Sequence, residues 1–194
     1  MERVVVVGAG HAGVELANAL RLAGFPGSIV LINDETDLPY QKPPLSKDFL
    51  KGDGRNPLML KAEVFYTQQT ITLMRGRRVV GIDRGAKVVQ LDNGEALAYD
   101  HLALALGARN RRLSIPGADH PDVLELRTLA DTQRILAKLP ALRRVAIIGG
   151  GFIGLEIPAC LRGKGIDVDI VEMADCLMGR AVSPPISDYF RRLH

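Results

Sequence analysis

A run of β-branched residues followed at once by three spaced glycines occurs twice in this chain, and no other feature restricts its fold as tightly. The first copy is VVVVGAGHAGVELANALRLAG, beginning at Val4, and the second is VAIIGGGFIGLEIPACLRGKG, beginning at Val145. A glycine triplet alone is weak evidence, but a triplet placed between a buried strand and a helix is the phosphate turn of a dinucleotide-binding βαβ unit.

In the first copy, residues 3–7 read as a strand buried on both faces of a parallel sheet. Gly8 permits the tight turn, Gly10 lets the backbone approach a pyrophosphate, and Gly13 lets the helix pack on the strand. The N–H groups that open the helix then face the phosphate. Val14, Leu16, Ala17, Leu20 and Leu22 supply its apolar positions, and Gly24 is a stop. A second strand over residues 28–32 leads into Asn33, Asp34 and Glu35, where a ribose-binding carboxylate belongs. The second copy repeats the order: a strand over 144–148, the turn Gly149-Gly150-Gly151-Phe152-Ile153-Gly154, and a strand over 167–171. Glu172 follows, placed to take a ribose 2′-hydroxyl and to repel a 2′-phosphate, which favours NADH over NADPH; the plainer reading is a solvated acid at a strand end. Pro158 falls inside the second helix, where it removes a hydrogen bond, so a kink or a shortened helix is expected.

Between the copies, residues 71–76 read as a further parallel strand, and 78–100 as short alternating strands turning at Arg84-Gly85 and Asn93-Gly94. Residues 102–108 return the chain to the main sheet, and 128–139 form an amphipathic helix. The Pro- and Gly-rich segment 114–122 is a linker. The chain therefore divides into 1–113, an FAD-binding domain, and 114–194, an incomplete NAD(H)-binding domain: an α/β protein of two tandem Rossmann-type units, the first with a small antiparallel insertion. The 194 residues are 47% hydrophobic, enough for a core, and the net charge of +3 is spread without a nucleic-acid-binding stripe. No apolar run is long enough for a membrane span and no export leader is legible, so a cytoplasmic location is expected. The two cysteines, Cys160 and Cys176, form neither a CxxC pair nor a disulfide framework, and no metal site is expected.

Two dinucleotide sites in tandem imply one dinucleotide handing electrons to another. The segment DLPYQKPPLSKDFL (37–50), with LRTLADTQRI (126–135), GGGFIGLE and RAVSPPISDYF (180–190), resembles the FAD-dependent pyridine-nucleotide reductases that serve ferredoxins and rubredoxins. The resemblance implies NADH oxidation by FAD, with single electrons passed to a ferredoxin- or rubredoxin-like partner. Relatives that reduce disulfides carry a cysteine pair after the second strand of the FAD unit. Residues 33–50 contain no cysteine, so a flavin here would deliver electrons directly to an external acceptor. By resemblance, Gly8, Ala9, Gly10, His11, Ala12 and Gly13 surround the FAD pyrophosphate, His11 as a spacer, and Asp34 rather than Asn33 binds the adenosine ribose. Lys47 corresponds to the family's lysine beside the isoalloxazine, or else is a solvated lysine at a helix start. Val79 and Arg127 match further FAD contacts. Gly149, Gly151, Ile153 and Gly154 would cradle NADH, with Glu156 near the nicotinamide. Lys47 and Glu156, as opposite charges near a buried flavin, are expected to pair.

Two departures stand out. Leu106-Gly107 replaces the family's usual Thr-Gly, losing a hydroxyl contact near the flavin. The chain also stops soon after the second copy, so it reads as roughly the first half of a reductase, with a sheet edge and apolar face open to self-association. The alternative is an FAD- or nucleotide-binding module without turnover; an NADH oxidase or peroxidase relative would need a reactive cysteine near the flavin.

Overall fold

The computed structural model describes residues 1–55 and 57–193. In chain order its strands and α-helices are β1 (Arg3–Val7), α1 (His11–Leu22), β2 (Ser28–Asn33), α2 (Asp48–Lys51), α3 (Glu63–Gln68), β3 (Ile71–Arg75), β4 (Val79–Asp83), β5 (Val88–Leu91), β6 (Ala96–Ala98), β7 (His101–Leu104), α4 (Leu129–Lys138), β8 (Arg144–Ile148), α5 (Phe152–Arg162), β9 (Asp167–Val171) and α6 (Pro184–Leu193). Short 3₁₀ turns cover Pro43–Ser46 and Leu139–Ala141.

Contacts divide the chain into two compact units, and the division is not a single cut at residue 113. One unit is Met1–Gln41 with Leu58–Arg109; the other is Lys42–Pro57 with Asn110–His194. The physical reason lies in residues 43–51: Leu45, Phe49 and Leu50 are buried, and the segment packs on α4 and α5. Polar ties reinforce it, with Cys160 Sγ 3.4 Å from the Ser46 carbonyl and Lys164 Nζ 2.8 Å from that of Lys51.

The first unit holds a four-stranded parallel sheet in the order β3-β2-β1-β7, with Val4–Val7 opposite Ile29–Ile32 on one side and His101–Leu104 on the other. Continuous apolar strands bury both faces, as the uninterrupted valine run demands. Val4, Val6, Ile29 and Leu31 pack with Val14 and Ala17 of α1. Val5, Val7, Val30 and Ile32 pack with Val89 and Leu91 of the antiparallel sheet β4-β5-β6. That sheet turns at Asn93-Gly94, where Gly94 has φ +84°. The returning strand is shorter than expected: β7 ends at Leu104, leaving Leu106 and Gly107 beyond it, outside the sheet.

Arg21, in the last turn of α1, ties the first unit together. Its guanidinium donates to the carbonyls of Gln69, Phe25, Gly27 and Thr70, at 2.7–2.9 Å. Tyr66 of α3 is buried in the same core, and burial, followed by the nearby Glu15 charge, pushes its hydroxyl pKa up to about 12.

In the second unit β8 and β9 pair in parallel, and α5 runs uninterrupted through Pro158. The expected shortening is therefore absent: the proline gives up one hydrogen bond, but its ring is buried in the unit. Leu139, Leu161 and Ile166 centre this core, with Val145 and Val168 turned toward it. Helix α4 begins at a capping box in which Thr128 Oγ1 accepts from the Asp131 N–H, and the Asp131 carboxylate accepts from the Thr128 N–H. Among the described residues no helix is long and apolar enough to cross a membrane, and no cluster of His, Cys, Asp and Glu has the makings of a metal site.

Candidate functional site

The two phosphate turns have the same conformation. Gly8 and Gly149 sit at φ +104° and +109°, a region open to glycine. Their N–H groups donate to carbonyls at the C-terminal ends of the neighbouring strands, Ile32 and Val171, at 2.9 and 2.8 Å. Gly10 and Gly151 cap the helices in extended conformation without a side-chain cap. At both positions an added Cβ would meet no described atom within 4 Å, so open space lies in front of the helix N–H groups that have no intrahelical partner. Gly13 and Gly154 answer a different demand: a Cβ there would lie 1.9 and 1.8 Å from the carbonyl oxygens of Gly8 and Gly149. Helix and turn touch only because these residues are glycine. An uncapped helix end, a backbone that can be approached and a positive dipole make a cradle for pyrophosphate. His11 and Ala12 are exposed at the start of α1, and Ala9 is buried.

The strand ends next to the two turns differ. The main-chain hydrogen bonds place Asn33 and Glu172 at corresponding positions. Asn33 is buried, with its amide 3.3 Å from the Asp37 carbonyl. The following Asp34 is exposed and lies 3.4 Å from Arg78. Glu172 folds over its own turn: its carboxylate accepts from the Ala174 N–H at 2.9 Å and the Gly150 N–H at 2.6 Å. Those two N–H groups hold its pKa below the ordinary 4.5. A Cβ at Gly150 would approach the Leu177 side chain to 2.5 Å and the Glu172 carboxylate to 3.2 Å, so those side chains would have to shift. The sequence signal for this contact was the middle of three consecutive glycines, Gly150, standing where the first copy has Ala9.

A second constellation lies within the second unit. A cavity of about 300 Å³ is lined by Lys42, Leu45, Lys47, Arg127, Ile153 and Glu156 among others. The expected ion pair is present, with Lys47 Nζ 3.3 Å from Glu156 Oε1. Its partners are 51% and 28% exposed, so the pair is wet and its attraction modest. Glu156 and Cys160, one helical turn apart on α5, and Lys164, just past its C-terminal end, all bond residues 46–51. Cys160 is buried, burial raises its thiol pKa, and the thiol is committed to main-chain carbonyls, so it is no candidate nucleophile. Sequence reasoning missed Ser46, whose hydroxyl donates to Glu156 Oε2 at 2.6 Å; its only trace was the serine before Lys47 in PPLSK.

The remaining expected residues belong to the first unit. Val79 packs beside the core formed with the antiparallel sheet of the first unit. Leu106 is 65% exposed, and Gly107 takes φ +67°.

Two βαβ units, each with a phosphate turn opening a helix, define a dinucleotide-binding α/β protein of Rossmann type. The chain belongs to the pyridine nucleotide-disulphide oxidoreductase family, whose model matches residues 2–194. It is 45% identical over 192 residues to rhodocoxin reductase of Rhodococcus erythropolis, covering 98% of this chain and 45% of the relative. It is 41% identical over 194 residues to the ferredoxin–NAD(+) reductase component of the p-cumate 2,3-dioxygenase system of Pseudomonas putida, covering 100% and 48%. The solved ferredoxin reductase of the CYP199A2 system from Rhodopseudomonas palustris superimposes with a TM-score of 0.96 at 49% identity, over 100% of this chain and 48% of that one. The chain thus spans about half the length of the relatives it matches.

Proposed function

We propose that the chain is part of an NADH-dependent flavoprotein reductase, binding FAD through its first unit and NADH through its second, and delivering electrons to a ferredoxin- or rubredoxin-like iron–sulfur protein. The observation that carries this reading is the phosphate turn built twice in one conformation, each with open space at its middle glycine. The printed names of the relatives, rhodocoxin reductase and a ferredoxin–NAD(+) reductase component, support the same class of reaction. FAD and NADH, when bound, supply the hydride chemistry.

The residues of this chain bind and orient. The N–H groups behind Gly10 and Gly151 take the two pyrophosphates, with Gly8, Ala9, His11, Ala12 and Gly13 shaping the first turn and Gly149, Ile153 and Gly154 the second. Asp34 and Glu172 take the ribose hydroxyls. Glu172, kept ionised by its two N–H donors, repels a 2′-phosphate, which selects NADH over NADPH. Val79, Arg127, Leu106 and Gly107 complete the flavin contacts, and the Lys47–Glu156 pair supplies fixed charges of both signs at the cavity wall. Electrons leave directly to the external protein, because residues 33–50 offer no cysteine pair and the Cys160 thiol is occupied by carbonyls. Two free thiols fit a reducing cytoplasm.

The test is anaerobic addition of NADH to the FAD-loaded chain, followed by the flavin absorbance band. Bleaching by NADH at rates above those with NADPH, and onward reduction of an added ferredoxin, is the expected result. Gly10→Ala should weaken FAD binding and Gly151→Ala NADH binding, each by roughly tenfold, about 1.4 kcal/mol. Retained flavin that NADH never bleaches would instead identify a nucleotide-binding module without turnover.

A further inference from the structure

We infer that Ser46 is the positioning residue of the Glu156 carboxylate, an inference that rests on the role proposed above for the Lys47–Glu156 pair. Each Glu156 oxygen has its own partner: the Ser46 hydroxyl at 2.6 Å on Oε2, and Lys47 Nζ at 3.3 Å on Oε1. A carboxylate only accepts, so the serine hydroxyl must donate. The last torsion of a glutamate is soft and nearly two-fold. An exposed lysine on a long stem does little to fix it, because it gives up side-chain entropy for every hydrogen bond it holds. Ser46 differs in kind: it has one short torsion and is 4% exposed.

Its backbone is fixed as well. Ser46 ends the 3₁₀ turn Pro43–Ser46, and its carbonyl accepts from Cys160 Sγ at 3.4 Å. Cys160 stands one helical turn after Glu156 on α5. The helix that carries the carboxylate thus holds, one turn later, the peptide that orients it. Glu156, Ser46 and Cys160 close a ring of contacts, and Lys47 is the outward member. With Oε2 held by Ser46, Oε1 is left to the lysine, and both Lys47 and Glu156 line the cavity with Arg127 and Ile153. Ser46 touches the carboxylate and acts through it.

The experiment is a double-mutant cycle of Ser46→Ala and Glu156→Gln on the full chain, with two readouts. The first needs no cofactor: the ¹H–¹⁵N signal of the Lys47 ammonium, assigned through Lys47→Arg, which reports how long the pair holds its geometry. The second is stopped-flow flavin reduction by NADH in the FAD-loaded chain. Ser46→Ala should broaden the ammonium signal. It should also slow flavin reduction about tenfold, with the NADH dissociation constant within about twofold, as loss of orientation rather than of binding requires. In the Glu156→Gln background the same substitution should change neither readout further, because its intermediary is gone. Equal effects of Ser46→Ala in both backgrounds would overturn the inference and make Ser46 a packing residue; so would an unaltered ammonium signal. If NADH reduces no form of the protein, the wild-type chain included, the failure lies in the proposed function, and the ammonium signal alone decides the role of Ser46. Should Ser46→Ala fail to fold, Ser46→Thr, which keeps the hydroxyl, must retain the wild-type ammonium signal for the inference to stand.

Discussion

The first and second βαβ units share one local structure in two surroundings. From Gly8 to Gly24 and from Gly149 to Gly165 the chain repeats turn, helix and C-terminal stop, and the stops themselves agree, with Gly24 at φ +75° and Gly165 at φ +78°. Yet β1 and β2 are buried along almost their whole length, whereas β8 and β9 alternate between half-buried and exposed residues. Ile148 and Val171 are 57% and 56% exposed, on the face where Arg144 meets Asp169 in a two-point ion pair at 2.6 and 3.0 Å. Arg21 and Arg162 occupy the same place in the repeat. The first is wrapped by four backbone carbonyls, and the second makes an exposed ion pair with Asp167. Local backbone code is set by near neighbours in sequence; what a repeated side chain contributes depends on what the rest of the fold brings to it.

The sharpest way to break this comparison is at the first glycine of each turn. A Cβ on Gly8 would lie 2.3 Å from the Ala105 carbonyl oxygen, while one on Gly149 meets nothing within 4 Å. Both substitutions carry the left-handed backbone penalty, but only the first adds overpacking. Gly8→Ala is expected to cost ~3–5 kcal/mol and Gly149→Ala only ~1–2 kcal/mol. Equal losses in chemical denaturation monitored for each unit would show that the surroundings do not matter here.

Gly13→Ala and Gly154→Ala test the opposite limb, the part both copies share. Each places a Cβ against the carbonyl of its own turn, and a backbone oxygen cannot swing away. Each should destabilise its unit by about 3 kcal/mol, and the two losses should agree within experimental scatter. Hydrogen exchange in the respective helices would reveal any inequality.

The two arginines come next. Arg21→Ala leaves four carbonyls without their charged donor and should cost about 2 kcal/mol. Arg162→Ala removes only a solvent-exposed pair, with partners 61% and 74% exposed, and should cost under about 1 kcal/mol. Arg21→Lys should recover little, because one ammonium cannot span the positions that the guanidinium fork reaches. Thermal unfolding of the three variants checks the order.

The smallest expected effect is on pH dependence. Glu172 is held below its ordinary pKa of 4.5 by the Ala174 and Gly150 N–H groups. A depressed acid adds stability that is fully present above about pH 4.5 and is lost as pH falls through its folded value. The corresponding position in the first copy is Asn33, which does not titrate. Acidification from pH 5 downward should therefore shift the Gly150 amide resonance and loosen the second turn before the first, and Glu172→Gln should abolish the difference. An Ala9 amide that moves together with Gly150 would contradict this.

Much of this was legible in the residues. The valine run, the glycine spacing and the Asn93-Gly94 turn each express a short-range rule, so β1, α1, β2, the small antiparallel sheet and the second βαβ were all readable. The Lys47–Glu156 pair was also anticipated, though from the family resemblance and charge rather than from spacing. Three features were not legible. The helix through Pro158 continues because burial of the ring offsets one missing hydrogen bond, and β7 stops at Leu104, short of the apolar run that suggested it. Residues 42–57 join the second unit because Leu45, Phe49 and Leu50 find cover on α4 and α5.

The sequence by itself determined the backbone conformation of both phosphate turns, because glycine spacing and strand periodicity act over a few residues and need no distant partner. Only the tertiary structure decided that Arg21 is a staple and Arg162 a surface charge, that Glu172 locks onto Gly150, and that Ser46 meets Glu156. The physical reason is range. Each of these contacts is a hydrogen bond or ion pair whose worth depends on burial and on a partner fixed to within a few tenths of an ångström. Those conditions are met only once helices and strands have packed.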